Sequence, residues 1–402
     1  MHTRISSCFI HKMVKSRSLL MRCMYAVSIR GFAKATIAQP RHSTTGNMMN
    51  AWVTSEFGAP MVKTTMRIPE VSNTKQLLLK VKAASVNPID TIMRDGYGRT
   101  IISVCKQIEN KSLAPLSFLP FIGGRDCSAV VEYVGQGVSK FKRGDEVMAV
   151  IGPTYAGSHA EYVLARECWC APKPANISHI EAAALPYVSC TAWTALVSVA
   201  RINARNAYGQ HVLIHGGAGG VGTAAIQLLK AWNVGKLVAT CSADSFKLVS
   251  SLGAKPIDYR SETVKDELRS EGPFDVVLDC VDSELARWSD NVMGIWRNSV
   301  HVTVVSPTLR ETDSYGILFG FASTAMKYLA RSVDPAWNGR WFAYAYFAPN
   351  EECLNFISRQ LGNGKMKAII DQTYSFNELP AAYEKVAQRH GRGKTVVDFD
   401  KH

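Results

Sequence analysis

Residues 210–232 read QHVLIHGGAGGVGTAAIQLLKAW. An apolar run, HVLIHG, meets a cluster of glycines and continues as a helix-forming pattern, TAAIQLLKAW. Gly217, Gly219 and Gly222 satisfy G-x-G-x-x-G in the strand–turn–helix setting that gives the motif its meaning. The first glycine permits a tight turn, the second lets the backbone approach a pyrophosphate, and the third allows close helix–strand packing. Free N–H groups and the positive end of the helix then favour an anion. This stretch commits its half of the chain to a parallel, doubly wound sheet that binds a dinucleotide. The alternative is a glycine turn that binds nothing.

The neighbouring sequence bears on which dinucleotide. An NAD site normally carries an acid at the end of the next strand, about 20 residues on. Here that strand ends as VATCSADSFK, with Ser242 in the expected region, Asp244 just beyond and Lys247 on the following helix. A hydroxyl donates to a 2′-phosphate where a carboxylate would repel it. Lys247 and Tyr259, in PIDYRS, complete a phosphate pocket on this reading, and NADPH is favoured over NADH. The alternative gives Ser242 only a helix-capping role and leaves Lys247 solvated.

Around this core the rhythm changes once. Residues 50–87 and the segments GGRDCSAVVEYVG, FKRGDEVMAV and GSHAEYVLA are short, rich in Val and aromatics, and bounded by Gly, Asp and Pro. They read as strands of a barrel-like domain. The stretch from Gly98 to Gly123 reads as a loop excursion. From about residue 186, apolar strands (HVLIHG, KLVATC, FDVVLDCV, VHVTVVS) alternate with helical material, the pattern of a parallel sheet. FNELPAAYEKVAQRHGRGKTVVDF closes with a helix, a turn and a strand. The expected divisions are 1–47, 48–185, 186–345 and 346–402.

The net charge of +13 suggests nucleic-acid binding until its placement is considered. Arg4, Lys12, Lys15, Arg17, Arg22, Arg30, Lys34 and Arg41 precede the first acid, Glu56. Without those eight charges the remainder carries +5, and no nucleic-acid partner is expected. A basic, Ser-containing, acid-free start has the composition of a mitochondrial transit peptide, here residues 1–47; a disordered basic tail is the alternative. Residues 182–200 hold 19 positions without a charge, long enough to span a bilayer. Pro186, Ser189, Thr191, Thr194 and Ser198 within it favour a helix buried between two soluble domains, with no transmembrane span. Ten scattered cysteines with no repeated C-x-x-C spacing indicate buried thiols rather than a disulfide framework or a zinc knuckle.

The segments SVNPIDTIMRDGYG, GRDCSAVVEYVG, FKRGDEVMA, LPYVSCTAW, GGAGGVGTAAIQLLKAW, SLGAKPIDYRS and HGRGKTVVDF together resemble the zinc-free quinone oxidoreductase branch of the medium-chain dehydrogenase/reductase superfamily. The resemblance implies an α/β chain: a GroES-like β-barrel-type substrate domain, a Rossmann domain, and a final segment that returns to the first. Zinc-dependent relatives place a Cys where this chain has Pro88 to Asp90, and Gly-His-Glu where it has Gly124-Arg125-Asp126. They also carry a four-cysteine lobe absent here, so no metal is expected. Carried over by position, cofactor contacts fall on Gly219, Gly220, Val221, Ser242, Tyr259, His390, Gly391 and Arg392. Ala218 stands where close relatives often have Ser, and Cys280 where Asn is more usual; each change removes a polar contact without removing the cradle.

The chemistry that this implies is hydride transfer from NADPH to a quinone or other small carbonyl (enone-type) acceptor in a dry cleft. Asn87 is the first candidate for stabilising the acceptor oxygen and Tyr97 the second. The competing roles are structural: Asn87 fixing the turn before Pro88, and Tyr97 covering the domain edge. His159 and His215 read as structural. The resemblance further implies mitochondrial localisation, in the matrix or against a membrane, a link to ubiquinone metabolism, and a membrane-associated partner of the reticulon type. A redox-sensing or scaffold protein that binds NADPH with little turnover is the alternative. Oligomeric state is open, with a homodimer among the options.

Overall fold

The computed structural model describes residues 48–114, 116–389 and 391–401. The expected presequence and His390 lie outside the described residues. The chain opens with an antiparallel pair, β1 (Met48–Val53) and β2 (Val62–Arg67). β3 (Gln76–Val86) follows, then two helices, α1 (Pro88–Arg94) and α2 (Arg99–Asn110). β4 (Asp126–Val134), β5 (Glu146–Val150), β6 (Tyr162–Arg166) and β7 (Cys170–Pro172) complete the first set of strands. β3, β4, β5 and β7 pair successively and antiparallel, and β6 also joins β3. Leu77, Leu79, Val81, Ala129, Val131, Val147 and Val163 alternate inward to form its core.

α2 corrects the expectation of a loop between Gly98 and Gly123. Ile101, Ile102, Cys105 and Ile108 recur at helical spacing, yet the helix lacks a capping side chain of its own. Asp313, more than two hundred residues away, supplies the cap: its carboxylate accepts from the N–H groups of Gly98 and Thr100. A helix start whose orphan donors are satisfied from a distant element carries no local signal.

α3 (His179–Ala183) and α4 (Pro186–Trp193), which continues as a wider π turn over Thr194–Val199, carry the chain across to the second sheet. This is the uncharged run read as a domain-crossing helix. Of its most apolar window, 72% is buried. Val188, Cys190, Ala192 and Leu196 share one core with Met148 and Val150 of the barrel and with Ile214, Ala225 and Leu228 beyond it.

The second unit runs β8 (His211–His215), α5 (Gly220–Ala231), β9 (Lys236–Cys241), α6 (Phe246–Ser251), β10 (Lys255–Asp258), α7 (Val264–Glu271) and β11 (Val276–Asp279). α8 (Glu284–Trp288), β12 (Val300–Thr303), α9 (Thr308–Trp337) and β13 (Trp341–Tyr344) complete it. All six strands are parallel in the order β10-β9-β8-β11-β12-β13. The order reverses beside β8, which places a crevice at the carboxyl ends of β8 and β11. α9 breaks at Gly316, where φ is 76°. α10 (Glu351–Gly362), β14 (Ile370–Ser375), α11 (Leu379–Ala387) and β15 (Lys394–Asp398) end the chain. β15 lies antiparallel to β3, so the final segment rejoins the barrel sheet.

The cysteines fit their expectation only in part. Cys127, Cys170, Cys190, Cys241 and Cys353 are buried and Cys280 partly so, but Cys105 and Cys168 are exposed. All eight are free thiols. Each of the two exposed residues sits in a helical turn on the barrel surface, where the core does not reach.

Candidate nucleotide site and cleft

The glycine loop joins β8 to α5 at the switch point of the sheet. Gly216 holds the left-handed conformation with φ 83°, so the tight turn assigned to Gly217 belongs to the residue before it. Gly217 is instead confined by β9: a β-carbon there would sit 2.6 Å from that of Ala239. At Gly222 a β-carbon would meet the Gly216 carbonyl oxygen at 2.2 Å, the close helix–strand approach expected of the third glycine. Gly219 differs, because a β-carbon there would find only the Gly216 oxygen, at 3.5 Å. Gly219 therefore has room for a β-carbon, although its backbone is bridged to Gly393 of the returning segment; a helix start of this kind is suited to a pyrophosphate. Ala218 and Val221 flank the loop and are partly buried.

The end of the chain closes over this loop. The Gly393 N–H donates to the Ala218 carbonyl at 2.9 Å. Gly391 and Arg392 are thereby held exposed beside the cradle, and the Arg392 guanidinium lies 3.3 Å from Asp244. Ser242 directly follows β9 and is half-buried; its hydroxyl does not cap the following turn but meets the Ser245 hydroxyl at 3.3 Å. Tyr259 follows β10 with its N–H donating to the Cys241 carbonyl, which sets it beside Ser242. Lys247 is exposed on α6. Arg260, which the sequence reading passed over, donates to the Tyr259 hydroxyl at 3.1 Å and covers its ring. Its signal was a basic residue directly after the tyrosine. Ser242, Tyr259, Arg260 and Arg392 thus share one rim.

Asn87 is fully buried at the start of α1 and its amide is fully engaged. Its oxygen accepts from the Lys394 ammonium at 2.5 Å, and its nitrogen donates to Asp126 at 3.0 Å and towards Ser85 at 3.3 Å. Its own N–H donates to Asp90 at 2.8 Å. Asp90 also accepts from the Gly124 N–H and faces Arg125 Nε at 3.7 Å. Of the four buried ionisable groups, Asp90 therefore pairs with Arg125, whereas Asp126 is linked to Lys394 through the Asn87 amide. Burial pushes both carboxyls above their ordinary range, while Arg125 beside Asp90 and Lys394 beside Asp126 pull them back. Burial likewise pushes Lys394 down. Among the described residues no three of His, Cys, Asp and Glu form a group that could hold a metal ion.

Tyr97 stands at the cleft edge, its hydroxyl donating to the Ser306 carbonyl at 3.4 Å. It ties the barrel to the loop after β12. His159 and His215 are buried and fully partnered, by Tyr383 and Ser85 and by Thr240 and Ser289 respectively. Burial lowers them to about 3 and about 4, so both are neutral. The sequence reading missed Lys394 and Tyr187. The first sits in GRGKTVV and the second in LPYVSC, motifs whose residues it used only for resemblance.

Two domain families match the chain: an alcohol dehydrogenase GroES-like domain over residues 73–175 and a zinc-binding dehydrogenase domain over residues 252–397. Reticulon-4-interacting protein 1, mitochondrial, of Caenorhabditis elegans is 51% identical and covers 89% of this chain and 97% of its own length. NAD(P)H oxidoreductase RTN4IP1, mitochondrial, of Homo sapiens is 38% identical and covers 89% of this chain and 92% of its own. Among solved structures, the quinone oxidoreductase of Coxiella burnetii superposes with a TM-score of 0.68 at 28% identity, covering 88% of this chain and 99% of its own. Matched along most of its length, the chain belongs to the reticulon-4-interacting protein 1 family of the medium-chain dehydrogenase/reductase superfamily.

Proposed function

We propose that this protein is a mitochondrial NADPH-dependent oxidoreductase that passes hydride to a quinone or enone-type acceptor, in a step linked to ubiquinone metabolism. The observation that carries the reading is the glycine loop at the switch point of the sheet, uncrowded at Gly219 and packed at Gly220 against Lys394 of the buried Asn87 cluster. Bound NADPH supplies the hydride. Gly217 to Gly222 hold its pyrophosphate, and Ser242, Lys247, Tyr259, Arg260 and Arg392 receive its 2′-phosphate, with His390 and Gly391 in the adjoining segment. Asn87 holds Lys394 and Asp126 in place, and Tyr97 closes the cleft edge, so water is kept from the reacting face. Arg125 lies beside Asp90, and Lys394 is linked to Asp126 through Asn87, so cationic side chains already serve both buried carboxyls, in keeping with chemistry without a metal.

The same reading divides the chain into a presequence over 1–47, a substrate domain over 48–185, a nucleotide domain over 186–345 and a return segment over 346–402. A reporter fused to residues 1–50 checks import; a diffuse cytosolic signal would defeat it.

NADPH oxidation by residues 48–402 with a panel of short-chain quinones and enones tests the activity. Turnover that favours NADPH, with the preference lost in Ser242→Asp and Arg392→Ala, supports it. A preference for NADH in the wild-type protein would overturn the cofactor assignment.

The exposed face of α9 favours a second, compatible feature. Beyond the break at Gly316, Leu318, Phe319, Met326, Leu329, Val333 and Trp337 are all at least half exposed. At about 150–250 Å² per aromatic side chain, such a stripe exceeds the few hundred Å² usual for a monomer's largest patch. It supports a homodimer or a membrane-associated, reticulon-type partner, and a scaffold role if no acceptor is reduced. Light scattering on wild type and Phe319→Glu/Met326→Glu distinguishes them. A wild-type dimer dissociated by the charges supports self-association; a monomer in both supports the partner.

A further inference from the structure

Tyr187 is the second residue of α4 and has an unusual combination of fixed body and free tip. Its backbone N–H donates to Asp126 at 3.0 Å, which ties the residue to the buried charge cluster. Its ring stacks on Phe347, centroids 4.2 Å apart and planes inclined by 28°. Its hydroxyl has no hydrogen-bond partner among the described residues, and the side chain is partly exposed. A phenol held so firmly normally finds a partner for its O–H. The residue after it places it relative to the cradle: Val188 Cγ1 would lie 3.1 Å from a β-carbon on Gly220. Asp90, Asp126, Arg125 and Tyr97 are its electrostatic neighbours, so the phenol stands beside the buried charge cluster to which its N–H is tied.

We infer that the Tyr187 hydroxyl is the donor that holds the oxygen of the electron acceptor, a quinone or α,β-unsaturated carbonyl, beside the nucleotide cradle. The inference rests on the reductase reading above and names its acceptor site. Hydride enters the acceptor carbon with its electron pair, the π pair moves onto oxygen, and the oxygen takes a proton from water. Tyr187 donates its hydrogen bond throughout and keeps its own proton. Burial raises the phenol above its ordinary value and so favours that protonated form.

Tyr187→Phe keeps the ring on Phe347 and removes only the hydroxyl. With NADPH and a short-chain quinone, kcat should fall about 10²-fold, with the NADPH dissociation constant and melting temperature unchanged. Where the wild type turns over, an unchanged kcat in Tyr187→Phe, or a loss of NADPH affinity in its place, overturns the inference. A second readout needs no turnover. 4-Nitrophenol, whose phenolate mimics the developing oxyanion, is titrated by absorbance into the NADP⁺-bound protein. Binding weakened about tenfold by Tyr187→Phe supports the site. Equal binding in both proteins, or none in the wild type, overturns it. Tyr187-dependent binding in a protein that oxidises no NADPH would sink the reductase reading while leaving the oxygen site standing.

Discussion

The Lys394 ammonium donates to the Asn87 amide oxygen at 2.5 Å although 307 positions separate the two residues. Asn87 in turn donates to Asp126, so one uncharged amide links a buried cation to a buried anion. Asn87→Leu keeps the side-chain bulk and leaves both charges without that partner. Unpaired buried charge is costly, and the expected loss is about 3 kcal/mol, read from the urea midpoint. A midpoint equal to that of the wild type would show that Lys394 and Asp126 need no mediator.

Two glycines of the same loop should respond differently to one added methyl. Gly222→Ala drives a β-carbon into the Gly216 oxygen at 2.2 Å and should lower the melting temperature. Gly219→Ala meets nothing closer than 3.5 Å and should fold normally, yet fill the space in front of the helix start. NADPH affinity should fall about tenfold or more for Gly219→Ala. Calorimetric titration against thermal melting separates the two effects. Normal NADPH binding by Gly219→Ala would place the pyrophosphate elsewhere.

Acid should unfold the protein through its buried imidazoles. His159 and His215 fall from the ordinary 6.5 to about 3 and about 4 in the folded chain, because burial disfavours their charged forms. The unfolded chain therefore binds protons that the folded chain refuses. Stability is unaffected above about pH 7 and declines as pH falls from 6.5 towards 4, at up to about 1.4 kcal/mol per pH unit for each histidine. His215→Gln, able to keep one hydrogen bond, should flatten that decline when denaturation midpoints are compared from pH 7 to 4.5. An unchanged slope would assign the acid sensitivity to the carboxylates.

The sequence by itself determined the strand–glycine–helix unit, the parallel sheet around it, the barrel strands before it and the buried run between them. Each of these rests on local periodicity and turn chemistry, which a linear reading captures. Gly217, Gly219 and Gly222 were legible because each glycine answers a short-range steric demand, although the left-handed turn itself fell to Gly216. Tertiary structure alone decided the rest. α2 owes its start to Asp313, Arg392 reaches the nucleotide rim because Gly393 bonds to Ala218, and Asn87 is occupied by Lys394. Buried charges and unpartnered hydroxyls are properties of what surrounds a residue in space. The return of β15 to β3 brings the far end of the chain to the cleft, and only that closure makes a site of Asn87, Tyr187 and Lys394.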